Sequence, residues 1–193
     1  MGRTVRQIST RREAWPIRGH FAISRGSKTE AVVVVCEIAE GNATGRGECV
    51  PYARYGETVD SVTAQIEAVR GFVEAGGDRE GLLREMPPGA ARNAVDCALW
   101  DLEAKTAGKS VQELLGLPPP QPALVTYTIG LDTPEAMAAA ALACGRPLLK
   151  LKLGGAGDLE RVEAVRAALP EVRLVVDANE AWMPDMVESW SRH

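Results

Sequence analysis

The sequence predicts an α+β domain followed by parallel β/α units, and three observations carry that reading. Strand-like segments come first and helical ones after them in the N-terminal part. A proline-rich stretch, Pro118-Pro119-Pro120-Gln121-Pro122, then interrupts the chain as an extended, semi-rigid linker. Beyond it strand and helix alternate in units of roughly 25 residues, the rhythm of parallel βαβ architecture. The expected domains are therefore residues 1–122 and 123–193.

The elements follow in order. Residues 3–15 can form an extended strand, and 31–39, rich in β-branched residues, a central one. A turn at Glu40-Gly41-Asn42 leads into a third strand over 45–50. Residues 58–73 carry apolar side chains at Val59, Val62, Ile66, Val69 and Val73, the spacing of an amphipathic helix. Pro87-Pro88-Gly89 breaks the chain before a second helix over 90–107, which Gly108 stops. After the linker, 123–131 reads as a strand. Thr133-Pro134-Glu135 is a helix start, with a capping hydroxyl and proline at the first helical position. A strand over 148–153, a helix over 158–169, a strand over 172–177 and a helix from 184 complete three units.

Composition excludes several function classes. The 193 residues are 46% hydrophobic and 25% charged with a net charge of -4, ordinary for a soluble globular chain. Interspersed signs give no basic footprint for nucleic acid. The longest apolar run, 31–36, is too short to span a bilayer, and the first residues lack the core of a signal peptide. No nucleic-acid or membrane partner is expected. Cys36, Cys49, Cys97 and Cys144 form no CxxC pair and read as thiols of a reducing cytoplasm. With His20 and His193 the only histidines, neither a histidine-based triad nor a His-rich metal site is expected.

The chemistry concentrates in Leu148-Leu149-Lys150-Leu151-Lys152-Leu153 and in Val175-Val176-Asp177-Ala178-Asn179. Alternate residues of a strand share a face, so Lys150 and Lys152 point one way and Leu149, Leu151 and Leu153 the other. Lysine is almost never fully buried unless paired. On an exposed edge strand the pair would merely guard against aggregation; a strand flanked on both sides by others is not an edge. Asp177, at the end of the next strand, is a candidate partner and a hard donor suited to a divalent cation such as magnesium. Asn179 sits beside it, where barrel enzymes place catalytic groups. A lysine desolvated beside another cation can serve as a base near neutral pH. Gly155-Ala156-Gly157, with Asp177 further on, mimics a dinucleotide fingerprint. Its third glycine position is Glu160, however, and a first strand buried on both faces would not carry two lysines.

Together these residues resemble the muconate lactonising subgroup of the enolase superfamily. Further segments agree: Ile23-Ser24-Arg25-Gly26, Gly45-Arg46-Gly47-Glu48, Ala94-Val95-Asp96-Cys97-Ala98-Leu99-Trp100-Asp101-Leu102 and Tyr127-Thr128-Ile129-Gly130. Pro51-Tyr52-Ala53-Arg54-Tyr55-Gly56-Glu57-Thr58 and the Tyr-Thr-Ile segment resemble dipeptide epimerases of the L-Ala-D/L-Glu type more than muconate cycloisomerases or o-succinylbenzoate synthases. The resemblance implies an α+β capping domain followed by the first three β/α units of an enolase-type, TIM-like barrel. It implies an isomerase that moves the α-proton of a small dipeptide through an enediolate, assisted by one magnesium ion. Lys152 would be the base, Lys150 its electrostatic support and Asp177 the first of three carboxylate ligands. Arg25 and Thr128 would line the substrate site, and Trp100 and Asp96 would serve packing and helix hydrogen bonding.

A closed barrel typically takes ~250 residues, and about 70 follow Pro122. The family's second base, a late lysine, and its other two metal ligands have no counterpart here. The expectation is therefore a truncated or split protein, inactive as this chain alone. The alternative is a noncatalytic fragment or assembly module that contributes cap and partial barrel to an oligomer, and a homo-oligomer belongs to that alternative.

Overall fold

The computed structural model describes residues 5–23 and 26–186, with the backbone alone described at 18–21 and 23. Two compact units emerge. One comprises Met1–Pro16 and Glu30–Gln121, the other Ile17–Thr29 and Pro122–His193. The segment 17–29 thus groups with the second unit although it lies far from it in sequence.

In the first unit, strands β1 (Gln7–Ile23), β2 (Gly26–Glu40) and β3 (Ala43–Cys49) form a sheet in that order, β1 and β2 reaching beyond the unit through the 17–29 segment. β2 and β3 are antiparallel from Val34↔Cys49 to Glu40↔Ala43, joined by a tight turn in which Gly41 takes φ 60°. Four helices follow: α1 (Val59–Ala68), α2 (Arg70–Glu74), α3 (Arg79–Glu85) and α4 (Ala90–Ala107). A short α5 (Val111–Leu114) ends the unit's regular structure. Val34, Cys36 and Ile38 of β2 pack with Val62 and Ile66 of α1, Leu82 of α3 and the Ala94-Val95-Ala98 face of α4.

α4 has the expected bounds. The expected single helix over 58–73 is instead two, because Val69 leaves the helical region at φ -97°, ψ 6°. Gly71, among the poorest helix formers, sits just beyond the break. α3 and α5 went unanticipated. Both are short, and side-chain caps define them rather than periodicity: Asp78 accepts from Gly81 N–H, and Ser110 exchanges hydrogen bonds with Glu113.

In the second unit, β4 (Tyr127–Ile129), β5 (Leu148–Lys152) and β6 (Arg173–Asp177) form a parallel sheet in the order β4-β5-β6. Helices α6 (Pro134–Cys144) and α7 (Asp158–Ala168) connect them. α6 starts as expected, with Thr133 Oγ1 accepting from Ala136 N–H and Pro134 inside the first turn. β4 is far shorter than the expected 123–131. Its pairing with β5 runs only from Tyr127↔Leu149 to Ile129↔Leu151, and the preceding residues are exposed and irregular. Leu149, Leu151 and Leu153 are buried with Met137 and Ala141 of α6 and Val165 of α7. This apolar face anchors β5 and leaves its other face for polar groups. The helix expected from 184 is helical at 184–186, and its remainder lies outside the described residues. No described helix is long and apolar enough to cross a membrane.

Candidate active site

Parallel register decides what the polar face of the second sheet holds. Thr128 pairs with Lys150 and Lys150 with Val175, while Lys152 pairs with Asp177. Residues in register across a sheet share a face, so Thr128, Lys150, Lys152 and Asp177 lie together, opposite the leucine face.

The two lysines converge on one oxygen. Asp177 Oδ2 lies 2.7 Å from Lys150 Nζ and 2.8 Å from Lys152 Nζ. Lys152 is the more enclosed of the pair, its side chain 9% exposed against 34% for Lys150. The other carboxylate oxygen, Oδ1, accepts the backbone N–H of Asn179 at 2.9 Å. Hydrogen bonds from Lys150, then Lys152, with the Asn179 N–H behind them, hold the Asp177 carboxyl well below the usual carboxylate range against an upward push from burial.

The turn after β6 is built to make this possible. Asn179 and Glu180 have φ 48° and 68°, consecutive residues in the left-handed region. Asparagine tolerates that region, but glutamate there is uncommon and costly. Strain of this kind persists where the surroundings over-determine it. The bend aims the Asn179 N–H back at Asp177, and β5 is tied to β6 one residue past the lysines by Leu153 N–H donating to Asp177 O at 3.0 Å.

The loop after β5 carries the glycines that mimic a dinucleotide motif, and an anion already fills it. Asp158, 1% exposed, accepts from Gly154 N at 2.9 Å, Gly155 N at 2.7 Å and Trp182 Nε1 at 2.8 Å, with Arg161 Nη1 at 3.0 Å. The N–H groups that would cradle a phosphate are spent on this carboxylate. Asp158, Arg161 and Trp182 escaped the sequence reading, and the aspartate four residues past Gly154 was the only available signal.

Among the expected site residues, Lys150, Lys152, Thr128, Asp177 and Asn179 come together, and Arg25 lies outside the described residues. The carbonyl of Ala22, three residues before Arg25, accepts Leu131 N–H at 3.1 Å, just past β4. As a magnesium ligand, Asp177 offers the right donor, a carboxylate at a strand end. Among the described residues no group of three or more His, Cys, Asp or Glu is placed to hold a metal ion. Asp177 alone therefore does not make a metal site among the described residues.

Other quoted motif residues are explained by the first unit's packing. A Cβ at Gly45 or Gly47 would overlap the carbonyl oxygens of Ala98 and Ala94, so the two glycines let β3 lie directly on α4. Glu57 accepts the N–H of Ala90 at 2.7 Å and of Tyr52 at 2.9 Å, tying the 52–57 loop to the start of α4. Arg79 stacks over the Trp100 ring, 3.2 Å from its centroid.

Residues 5–116 match the family model for the N-terminal domain of mandelate racemase / muconate lactonizing enzymes. The chain belongs to this family of the enolase superfamily. It is 45% identical over 181 residues to the L-Ala-D/L-Glu epimerase of Escherichia coli K12, covering 92% of this chain and 56% of that protein. A solved enolase family member from Agrobacterium tumefaciens, with homology to dipeptide epimerases and with bound sodium and L-Ala-L-Glu, is 52% identical with a TM-score of 0.92. That match covers 97% of this chain and 58% of the other. The dipeptide epimerase of Cytophaga hutchinsonii, solved with Mg and D-Ala-L-Val, is 26% identical with a TM-score of 0.86, over 97% of this chain and 55% of that one. This member of the mandelate racemase / muconate lactonizing enzyme family thus spans a little over half the length of the relatives it matches. Its capping α+β domain and three parallel β/α strands are the expected fold class.

Proposed function

We propose that this chain supplies the cap (residues 1–122) and the first three β/α units (123–193) of a dipeptide epimerase of the L-Ala-D/L-Glu type. The observation that carries the proposal is the pair of lysines meeting a single carboxylate, with Lys152 and Asp177 the last residues of adjacent parallel strands. The 45% identity to the Escherichia coli enzyme supports the substrate class.

In this reading Lys152 takes or returns the α-proton of the residue being inverted. Its enclosure and its fixed place on β5 supply the positioning that proton transfer from carbon needs. Lys150, more open and one alternate position earlier, supports it electrostatically and helps hold the substrate carboxylate. Thr128, in register with Lys150, and Arg25 line the substrate site. Asp177 would be one ligand of magnesium, with Asn179 locking its carboxylate orientation through the backbone. When bound, the ion stabilises the negative charge that develops on the substrate carboxylate. In the resting arrangement Asp177 offsets two ammonium charges that would otherwise repel on a half-enclosed face. A cytoplasmic location is part of the proposal, supported by four cysteines that are all free thiols.

Epimerisation needs a second proton carrier on the opposite face of the α-carbon, so the purified 193-residue chain is expected to give no turnover of L-Ala-L-Glu. A chimera joining it to the C-terminal part of the Escherichia coli epimerase is expected to give turnover. In that chimera Lys152→Ala should lower kcat by at least ~10²-fold, the usual contribution of a positioned base. A folded chimera whose rate is indifferent to Lys152→Ala would overturn the assignment.

A further inference from the structure

We infer that Asp158 and Arg161 form a clamp that sets the lysine–aspartate geometry, making Asp158 a positioning residue for the site. The inference rests on the proposed function only for the meaning of that geometry. The clamp itself is visible in the contacts.

A carboxylate 1% exposed is costly unless its lone pairs are satisfied and its charge is matched. Asp158 meets both conditions with groups from two different loops. Gly154 and Gly155, from the loop after β5, donate their backbone N–H groups, and Gly154 lies two residues past Lys152. Trp182, from the loop after β6, donates its indole N–H and lies five residues past Asp177. Arg161 supplies the counter-charge at 3.0 Å and carries the link to a third loop. Its Nε donates to Asp132 O at 2.8 Å, after β4, and its Nη1 to Ala156 O at 2.7 Å. One ion pair on α7 therefore ties together the loops that leave all three strands.

The strands fix these ends only in part, the last backbone tie between β5 and β6 being Leu153 N–H donating to Asp177 O. β4 pairs over three residues, and the ladder between β5 and β6 stops at Lys152↔Asp177. Beyond it the chain turns through the left-handed residues Asn179 and Glu180 before reaching Trp182. The Trp182 side chain packs against the buried apolar cluster of this unit while its N–H reaches Asp158. Releasing that indole frees the far side of the turn that aims Asn179 at Asp177. Releasing Asp158 frees the backbone just after Lys152. Both partners of the Lys152–Asp177 contact are thus held from behind by the same carboxylate.

The test uses the 193-residue chain and reads the lysine ammonium groups directly, by ¹⁵N–¹H NMR of their Nζ resonances, with amide exchange at Leu153. In the wild-type chain the Lys152 signal should stand apart from those of solvent-exposed lysines, and the Leu153 amide should be protected. Trp182→Phe removes one arm of the clamp while keeping an aromatic ring. It should move the Lys152 signal toward the solvent-exposed position and speed Leu153 exchange at least ~10-fold. Asp158→Asn should do more, because its amide group places a donor against the loop N–H groups. Val165→Ala removes core volume from the same helix and serves as the control. It should lower the unfolding temperature without displacing the Lys152 signal. If Asp158→Asn fails to fold, Trp182→Phe decides. A Lys152 signal unchanged in Trp182→Phe, or displaced equally in Val165→Ala, overturns the clamp. Turnover is not read, so the clamp can stand if the epimerase reading fails, and the reverse.

Discussion

Asp177 carries two assignments, as the counter-charge of Lys150 and Lys152 and as a metal ligand, and the first has a measurable consequence. Its carboxyl is held low by Lys150, then Lys152, then the Asn179 N–H. In the unfolded chain the same group titrates at about 3.9. A depressed folded value means that the group stabilises the fold above about pH 4, and that this stabilisation is lost as the pH falls through the lower folded value. Asp177→Asn should therefore destabilise the chain at pH 7, with a cost that shrinks only in more acid solution; urea unfolding of both chains at pH 7 and pH 3 measures it. A cost that is the same at both pH values would show that the lysine pair does not depend on the aspartate's charge. Much of this was legible in the sequence, since the two-residue period of a strand places Lys150 with Lys152, and a lone carboxylate ends the next strand. The clamp was not legible, because its contacts join the start of α7 to loop residues up to 29 positions away, which no periodicity encodes.

Elements were read well where hydrophobic periodicity forms them and poorly where local contacts do. α4 has the bounds its apolar spacing and flanking glycines suggest, and β5 and β6 fall close to their expected positions. α3 and α5, closed by Asp78 and Ser110, and the break at Val69 follow from single residues. At this scale Gly45-Arg46-Gly47 proves to be a packing device, with β3 pressed against the backbone of α4. Gly47→Ala is expected to destabilise the first unit by about 1–3 kcal/mol, since the strand must move off the helix to admit the methyl group. Gly71→Ala, in α2 with nothing within 4 Å of the added carbon, should be neutral or stabilising by a few tenths of a kcal/mol up to about 1. Thermal unfolding of the two variants gives the comparison, and equal effects would remove the distinction.

On the scale of the whole chain, two units are each built round their own apolar core, and the lysine–aspartate cluster lies on the polar face of the second. Among the described residues no strand pairs with the outer edge of β6, and Val175 and Val176 on that strand are largely exposed. The proposed reading assigns the rest of a barrel to that edge, and with it the second base and the remaining metal ligands. In the proposed reading Lys152 is one base of two, serving one face of the α-carbon. That role is tested most directly by α-proton exchange in D₂O, followed by ¹H NMR, with the chimera stripped of the late lysine that the Escherichia coli part contributes. L-Ala-L-Glu and L-Ala-D-Glu are expected to differ, one exchanging its α-proton and the other not, and adding Lys152→Ala is expected to abolish the remaining exchange. Exchange of both dipeptides that survives Lys152→Ala would contradict that role.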